Sequence, residues 1–168
     1  MILSYLHQIM KNLRTELNIL IGSFLALLLF GAIASYVESY LKLSVLVGAF
    51  GASTAIVFNS PNESISRYKN LALGYLISCF IGISFNFFFG ANLVFLKVAL
   101  AVSFSIFAMR IAKSFHPAGG AIALLSVILP FKESQELIYY FIGTSLIGPT
   151  IFFCIVLLVR KFFNFVED

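Results

Sequence analysis

Long apolar stretches separated by short polar segments dominate the pattern of this chain. Four of six such stretches reach or approach the roughly 20 apolar residues that a helix needs to cross a bilayer. None shows the strict alternation over about ten residues that is typical of a transmembrane β-strand. The pattern predicts an all-α polytopic membrane protein, with residues 1–168 as a single membrane domain. The six stretches cover residues 18–37, 43–60, 70–89, 92–109, 114–131 and 137–159.

The residues before the first stretch are amphipathic. Apolar residues recur at roughly helical spacing from Ile2 to Leu17, and polar side chains such as Lys11 and Arg14 lie between them. A helix of this kind lies in the membrane interface with its apolar face toward the lipid. We therefore predict a short interfacial helix over residues 1–17.

The second and fifth stretches are short and rich in small residues. Residues 43–60 contain Gly51-Ala52-Ser53-Thr54, and residues 114–131 contain His116-Pro117-Ala118-Gly119-Gly120. Proline lacks a backbone donor and disfavours helix at the residue before it, whereas glycine allows unusual backbone angles. Each stretch therefore either crosses the membrane as a broken helix or dips into it and returns as a re-entrant loop.

The positions of lysine and arginine favour crossing, because short cytoplasmic loops carry an excess of these residues. With six crossings and a cytoplasmic N-terminus, the outer side holds Lys42, Lys97 and Lys132. Four crossings would move half of the inner residues outward and remove the bias. We therefore predict six crossings, with both termini in the cytoplasm, for a protein of the plasma (inner) membrane. The inner residues are then Lys11, Arg14, Arg67, Lys69, Arg110, Lys113, Arg160 and Lys161.

The two halves of the chain share small and turn-forming residues at a fixed offset. Three crossings in each half turn the second half upside down relative to the first, as in the inverted repeats of many transporters. We therefore predict repeat one at 18–89 and repeat two at 90–160. At an offset of 69 positions, Ala49 coincides with Ala118, Gly51 with Gly120, Ala52 with Ala121, Pro61 with Pro130 and Gly74 with Gly143.

The two glycine-rich breaks form the candidate site. A helix that begins near residues 115–120 leaves N-terminal N–H groups free, and these groups and the helix dipole favour an anion. His116 can donate a hydrogen bond, carry charge near neutral pH or cap the helix. The alternative is a packing site, since small residues let helices approach closely and helix hydroxyls often bond their own carbonyls. The predicted substrate-binding residues are Gly51, Ser53, Thr54, His116, Pro117, Gly119 and Gly120.

Four basic residues are expected together on the cytoplasmic side. Topology alone explains them, but they also suit an electropositive vestibule that concentrates small anions. Lys97 lies a turn inside the fourth stretch, where it either snorkels outward or faces an anion path. The four vestibule residues are Arg67, Lys69, Arg110 and Lys113.

Composition excludes several classes of function. The 168 residues are 61% hydrophobic and 11% charged, whereas a soluble domain carries roughly 25% charged residues. The net charge of +4 does not indicate nucleic acid, because the basic residues occur singly or in pairs. No nucleotide-binding loop, zinc-protease motif or haem histidine pair is present. We therefore predict no enzyme, no cofactor and no metal.

The absence of carboxylates from the middle of the apolar stretches argues against an ordinary proton-coupled pump. The middle of no apolar stretch holds Asp or Glu, and proton-coupled pumps usually need such residues within the membrane. This favours a channel, a uniporter, or coupling through His116.

Three ordered motifs resemble the HPP family of integral membrane proteins. Residues 114–124 resemble its signature H-P-P-A-G-A-T-A-L, and Phe50-Gly51-Ala52-Ser53 is similar to its F-G-A-S element. Residues 68–78 resemble its P-R-N and G-G-H-L-L-S stretch. The chain departs from these patterns where a proline, a threonine and a histidine of the family are replaced by Ala118, Ile122 and Tyr75.

The resemblance implies a membrane protein for which the family description gives four helices, and plastid and cyanobacterial members are implicated in nitrite transport. It therefore implies transport of a small inorganic anion, with nitrite as the first candidate. The alternative is a structural or accessory membrane subunit, and an intramembrane enzyme would need an acid partner for His116 that the sequence does not supply. We also expect a homo-oligomer, because a small glycine-rich unit has surface available for helix packing. Substrate handling would fall on Gly51, Ser53, His116, Pro117 and Gly120.

Overall fold

The computed structural model describes residues 2–41, 48–89 and 93–163, and the regular structure within them is helical. Four helical segments are long and apolar enough to cross a membrane. They are Asn12–Tyr40, Tyr68–Phe88, Val94–Ile111 and Ser134–Phe162. The prediction of an all-α membrane protein is confirmed. The elements are α1 (Ile2–Leu41), α2 (Ala49–Asn59), a 3-10 turn (Ser64–Ser66), α3 (Tyr68–Phe88), α4 (Val94–Ile111), α5 (Gly119–Ile128), α6 (Ser134–Ile142), a π-helical turn (Gly143–Ile147) and α7 (Gly148–Phe162).

The first helix corrects the prediction of a separate helix over residues 1–17. α1 runs without a break from Ile2 to Leu41. No proline lies in this range, so nothing in the backbone chemistry ends the helix before the apolar stretch begins. Side-chain periodicity indicates which residues face water or lipid and does not by itself mark a break in the backbone.

The two short apolar helices lie within the second and fifth stretches. α2 has 11 residues and α5 has 10. At 1.5 Å per residue each measures about 15 Å, roughly half of the hydrocarbon core of a bilayer. Part of the second stretch, residues 42–47, lies outside the described residues.

The chain segment that contains α5 runs parallel to α3 along most of its length. Near the start of α3, the Asn70 side-chain amide donates to the carbonyl of Phe115 at 3.3 Å. Near its end, the Asn86 amide donates to the carbonyls of Ser126 and Leu129, both at 3.2 Å. Asn86 follows Asn70 by sixteen positions along the helix, a rise of about 24 Å. The segment therefore does not return to the end at which it enters, as a re-entrant loop would.

The neighbouring long helices run in the opposite direction. Met109, near the end of α4, lies beside Gly74 near the start of α3. The continuous helix from α6 to α7 passes Ser126 at Tyr140 and reaches the start of α3 at Thr150. α4 and the α6–α7 helix are therefore both antiparallel to α3.

The two ends of the helix bundle differ in charge. We call the end at the start of α3 the basic end, because Arg67, Lys69, Arg110 and Lys113 are all exposed there. The opposite end is the acidic end, where Glu38 of α1 lines a recess together with Glu133 and Glu136. α1 runs from the basic end to the acidic end. Its earlier residue Ile19 lines a groove with Asn59 at the end of α2.

Candidate substrate site

His116 lies in the turn that joins α4 to α5. α4 ends in a Schellman motif, in which the N–H of Lys113 donates to the carbonyl of Arg110 and the N–H of Ser114 donates to that of Met109. Lys113 adopts the left-handed conformation that the motif requires, with φ at 49°. The motif directs the chain back into the bundle, so that His116 is fully buried at the start of α5.

The His116 ring connects three parts of the fold by hydrogen bonds. Its Nδ1 lies 2.7 Å from the carbonyl oxygen of Ile65, in the 3-10 turn after α2. Its Nε2 lies 2.8 Å from the Ser53 hydroxyl of α2, and that hydroxyl lies 2.8 Å from the Tyr75 hydroxyl of α3. The Ser53, Tyr75 and His116 side chains have 0% of their surface exposed. We call these three residues the relay.

The direction of the relay hydrogen bonds follows from the Ile65 carbonyl, which can only accept. Nδ1 therefore carries a proton, and Nε2 of the neutral ring is an acceptor. Ser53 donates its proton to Nε2, and its oxygen accepts the proton of Tyr75. Each donor and acceptor in the sequence Tyr75, Ser53, His116, Ile65 is satisfied, which removes the cost of burying them.

Two glycines allow α3, α4 and α5 to close around the relay. A Cβ at Gly74 would lie 2.9 Å from the Cβ of His116, and a Cβ at Gly119 would lie 2.7 Å from the Ser78 hydroxyl oxygen. Real Cβ atoms do not approach other heavy atoms so closely. The absence of a side chain at these positions therefore sets the position of the imidazole against α3.

Aromatic rings cover the Tyr75 side of the relay. The Phe50 ring centroid lies 5.0 Å from that of Tyr75, 4.4 Å from that of Phe30 and 5.3 Å from that of Phe152. A Cβ at Gly148 would lie 2.8 Å from Phe50, so that glycine makes room for the ring. The cluster packs α1, α2 and α7 against α3 and excludes solvent from the tyrosine.

Comparison with known proteins identifies the protein family. The family description "HPP, transmembrane region" matches residues 9–165. The chain belongs to the HPP family. Two transmembrane proteins of Dictyostelium discoideum are similar to it. The first is 32% identical over 124 residues, which is 72% of this chain and 43% of that protein. The second is 29% identical over 127 residues, 74% of this chain and 41% of that protein.

The chain thus spans less than half the length of these Dictyostelium relatives. No solved structure matches the chain.

The three HPP motifs each contribute one residue to the relay. The F-G-A-S element supplies Ser53, and the H-P-P signature supplies His116. The G-G-H-L-L-S stretch supplies Tyr75, at the position of its histidine. Motifs that lie far apart in the sequence of this HPP protein therefore converge on one hydrogen-bonded group.

Other residues predicted for the site make different contacts in this HPP protein. The Thr54 hydroxyl donates to its own helix, at the carbonyl of Phe50. Gly51 is exposed, and a Cβ placed there would meet no atom within 4 Å. Pro117 is also exposed, and Gly120 has only Val102 within 4 Å of a Cβ placed there. The relay therefore contains Ser53 and His116 of the predicted set.

N–H groups at the start of α5, which we expect from the sequence to be free, donate hydrogen bonds within the chain. The N–H of Gly119 donates to the carbonyl of His116 at 2.9 Å, and that of Gly120 donates to the carbonyl of Pro117 at 3.2 Å. The chain folds into tight turns before α5 begins, and these turns satisfy the two amides. The prediction of free amides at Gly119 and Gly120 is therefore wrong.

Sequence reasoning missed two members of the hydrogen-bonded group. Tyr75 was noticed only as a departure from the HPP pattern, although that departure was the available signal for its position. The Ile65 carbonyl had no signal, because every residue carries a backbone carbonyl. Only the fold shows which carbonyl meets His116.

The four basic residues of the predicted vestibule differ from the relay residues in burial. Arg67, Lys69, Arg110 and Lys113 are exposed at the basic end, whereas the relay side chains are buried. Lys97 is 3% exposed, so its side chain does not snorkel outward. In the described residues no group of three or more His, Cys, Asp or Glu side chains lies together as a metal site would require.

A second buried polar group lies toward the acidic end of this HPP protein. The Ser126 hydroxyl of α5 lies 3.1 Å from the Tyr140 hydroxyl of α6 and donates to the Ile122 carbonyl of its own helix. Each half of the chain thus pairs a serine of its short helix with a tyrosine of its third helix.

Proposed function

We propose that this HPP-family protein is a membrane transporter or channel for a small inorganic anion, with nitrite as the first candidate. The observation that carries the proposal is the buried relay of Ser53, Tyr75 and His116. Polar and ionisable side chains within a membrane bundle are costly and usually mark a pathway for a substrate or an ion. This relay also joins α2 and α3 of the first half to the start of α5 in the second half, which is the usual location of a transporter site.

The chemistry of the buried residues supports an anion as the substrate. Hydroxyl groups, Asn70, Lys97 and His116 make up the buried polar and charged side chains among the described residues. No carboxylate is among them. A cation would find no negative partner in this interior, whereas hydroxyl, imidazole and ammonium groups can donate hydrogen bonds to an anion.

Helix directions and neighbours support six crossings arranged as an inverted repeat. α1 packs on α2 and α7, and the corresponding helix α4 packs on α5 and α3. α3 packs on α5, and the corresponding α7 meets α2 through Phe50 and Phe152. At the predicted offset, the start of α2 at Ala49 also falls within one residue of the start of α5 at Gly119. In this arrangement the crossing segments are two short helices and four long ones.

The charge distribution supports a cytoplasmic basic end in the plasma (inner) membrane. Short cytoplasmic loops are rich in Lys and Arg, and the four vestibule residues lie at the same end as Arg160 and Lys161. Both ends of the described chain lie toward this end. A fluorescent protein fused after Asp168 is expected to fluoresce in bacterial cells, whereas alkaline phosphatase at the same position is expected to be inactive. Active phosphatase would contradict this orientation.

Anion flux into proteoliposomes tests the proposed function. We expect purified protein to carry at least one of nitrite, nitrate, formate and chloride faster than protein-free vesicles of the same lipid. The flux into protein-free vesicles must be subtracted, above all for nitrite and formate, because their undissociated acids cross lipid unaided. If none of the four anions enters faster than in protein-free vesicles, the transport proposal is wrong.

A structural or accessory membrane subunit is the second candidate. The relay residues are fully buried and every hydrogen-bonding group of the relay has a partner. Such a satisfied polar network rigidifies a core even when no ligand binds. The oligomeric state stays a prediction under both candidates.

A further inference from the structure

The relay has a built-in direction that a proton would reverse. In its neutral form one ring nitrogen, Nε2 of His116, carries no proton and accepts a hydrogen bond from the Ser53 hydroxyl at 2.8 Å. Nδ1 is occupied by the Ile65 carbonyl and carries a proton in both charge states. Any further proton on the ring must therefore go to Nε2.

Protonation of Nε2 changes the role of each hydroxyl in turn. The imidazolium N–H would donate to the Ser53 oxygen, so Ser53 could no longer donate to the ring. Its proton would turn toward the Tyr75 oxygen, 2.8 Å away. The Tyr75 proton, which had been held by Ser53, would then have no acceptor. The relay would thus hold a buried positive charge and a hydroxyl donor without a partner.

We propose that His116 couples anion movement to protons, and that the freed Tyr75 hydroxyl together with the imidazolium charge binds the anion. This inference rests on the proposed transport function and names its co-substrate. One proton and one monovalent anion occupy the relay together, so the loaded site carries the same net charge as the empty one. The anion supplies the acceptor that Tyr75 lacks, and an unpaired buried donor costs about 1–3 kcal/mol.

The cycle balances without any other reactant. A proton from one side binds the lone pair of Nε2, and the anion enters beside Tyr75. When the anion leaves to the other side, the Tyr75 hydroxyl again donates a hydrogen bond to the Ser53 oxygen. The ring then releases the proton of Nε2 to that same side. The Ser53 hydroxyl turns back and again donates its hydrogen bond to Nε2. Each cycle moves one proton and one anion together, and no bond other than N–H is made or broken.

Among the groups packed around the relay, His116 is the one that we assign to proton coupling. Of the elements packed against it, α2 and the 3-10 turn contribute Ser53 and the Ile65 carbonyl, and α3 contributes Tyr75. Cys79 of α3 is a buried free thiol one helical turn beyond Tyr75, toward the acidic end. The charged groups near His116 at the basic end are exposed, namely Glu63, Arg67, Lys69, Arg110 and Lys113. Lys97 of α4 is buried, but it lies about 18 Å along that helix from Met109, the α4 residue that packs beside Gly74 and His116.

Proton coupling is tested in proteoliposomes that contain a pH-sensitive dye, with the potassium potential set by valinomycin. The probe is whichever of nitrite, nitrate, formate and chloride gives the largest flux above protein-free vesicles. We expect inward anion movement to acidify the lumen and the rate to be unaffected by the imposed potential. A pH difference of one unit is worth about 1.4 kcal/mol, so it should drive about tenfold accumulation of the anion.

His116→Gln and Tyr75→Phe identify the residues that carry the coupling. Glutamine can hydrogen bond but takes up no proton at neutral pH, so His116→Gln should abolish pH-driven accumulation. Tyr75→Phe should weaken anion uptake, whereas the control Tyr68→Phe, whose hydroxyl is exposed and bonds Thr150, should not.

The outcomes separate this inference from the proposed function. If the wild-type protein carries an anion at a rate that follows the imposed potential, with no change in lumenal pH, the coupling proposal is wrong and the transport proposal stands. Unchanged accumulation in His116→Gln would equally exclude His116 as the coupling residue. If the wild-type protein carries none of the four anions, both proposals are wrong.

Discussion

Ser53→Ala is expected to reduce anion flux roughly tenfold or more, equivalent to about 1.4 kcal/mol or more at the site. Ser53 is the central member of the relay, and its hydroxyl bonds both Nε2 of His116 and the hydroxyl of Tyr75. Alanine leaves both of these buried groups without a partner, and each unsatisfied group costs about 1–3 kcal/mol. We expect the variant to reach the membrane, because the methyl group fits a position that already holds a hydroxymethyl group. Initial rates in proteoliposomes, corrected for the amount of reconstituted protein, measure the effect.

Ser84→Ala is the matched control for this prediction. Ser84 lies on the membrane helix α3, and its hydroxyl donates to the carbonyl of Phe80 in the same helix. Its removal leaves a helix carbonyl that keeps its own backbone bond, so flux and thermal stability should both stay near those of the wild type.

The two candidate functions predict different results for Ser53→Ala. A transporter loses flux in a protein that still elutes as a single species from a sizing column. A structural subunit loses thermal stability, as the transporter also does, but has no flux to lose. Wild-type flux that Ser53→Ala leaves unchanged would show that the relay holds the fold together and lies away from the anion path.

Sequence patterns located the short helices and two of the three relay residues for identifiable physical reasons. Proline and glycine act through local backbone geometry, so His116-Pro117 and Gly119-Gly120 marked the start of α5 without knowledge of the fold. The offset between Ala49 and Ala118 places the starts of the two short helices within one residue of each other. Ser53 and His116 were named separately, and their direct contact follows from the packing of α2 against the α5 segment.

Features that depend on packing between distant segments were not predictable in the same way. Tyr75 stands at the position of a histidine in the HPP pattern, but only the approach of α2 to α3 makes it the partner of Ser53. The π-helical turn before Pro149 is a further example. Proline lacks a backbone donor, and just before it the N–H of Gly148 bonds the carbonyl of Gly143, five residues earlier. The sequence shows the missing donor of Pro149 but not the π-helical hydrogen bond beside it.

Gly82→Ala is expected to lower the free energy of unfolding by about 1–3 kcal/mol, as overpacking of a close contact does. A Cβ at Gly82 would lie 2.5 Å from the Cβ of Ser126 and 2.6 Å from the carbonyl oxygen of Ala123. The backbone carbonyl cannot rotate away, so α3 and α5 must separate along the line where they pack. That separation would stretch the bonds from Asn86 to the end of the α5 segment. The apparent melting temperature in mild detergent should fall by several degrees.

Gly31→Ala separates this contact from a general effect of adding a methyl group within a membrane helix. Gly31 lies in the interior of α1, and a Cβ placed there would meet no atom within 4 Å. Alanine in a helix interior is favoured over glycine by roughly 0.5–1 kcal/mol, so this variant should melt at or above the wild-type temperature. Equal melting temperatures for Gly82→Ala and Gly31→Ala would mean that α3 and α5 do not approach as closely as the relay geometry requires. The relay and the second polar group both depend on that approach, because His116 and Ser126 are carried by the same segment along α3.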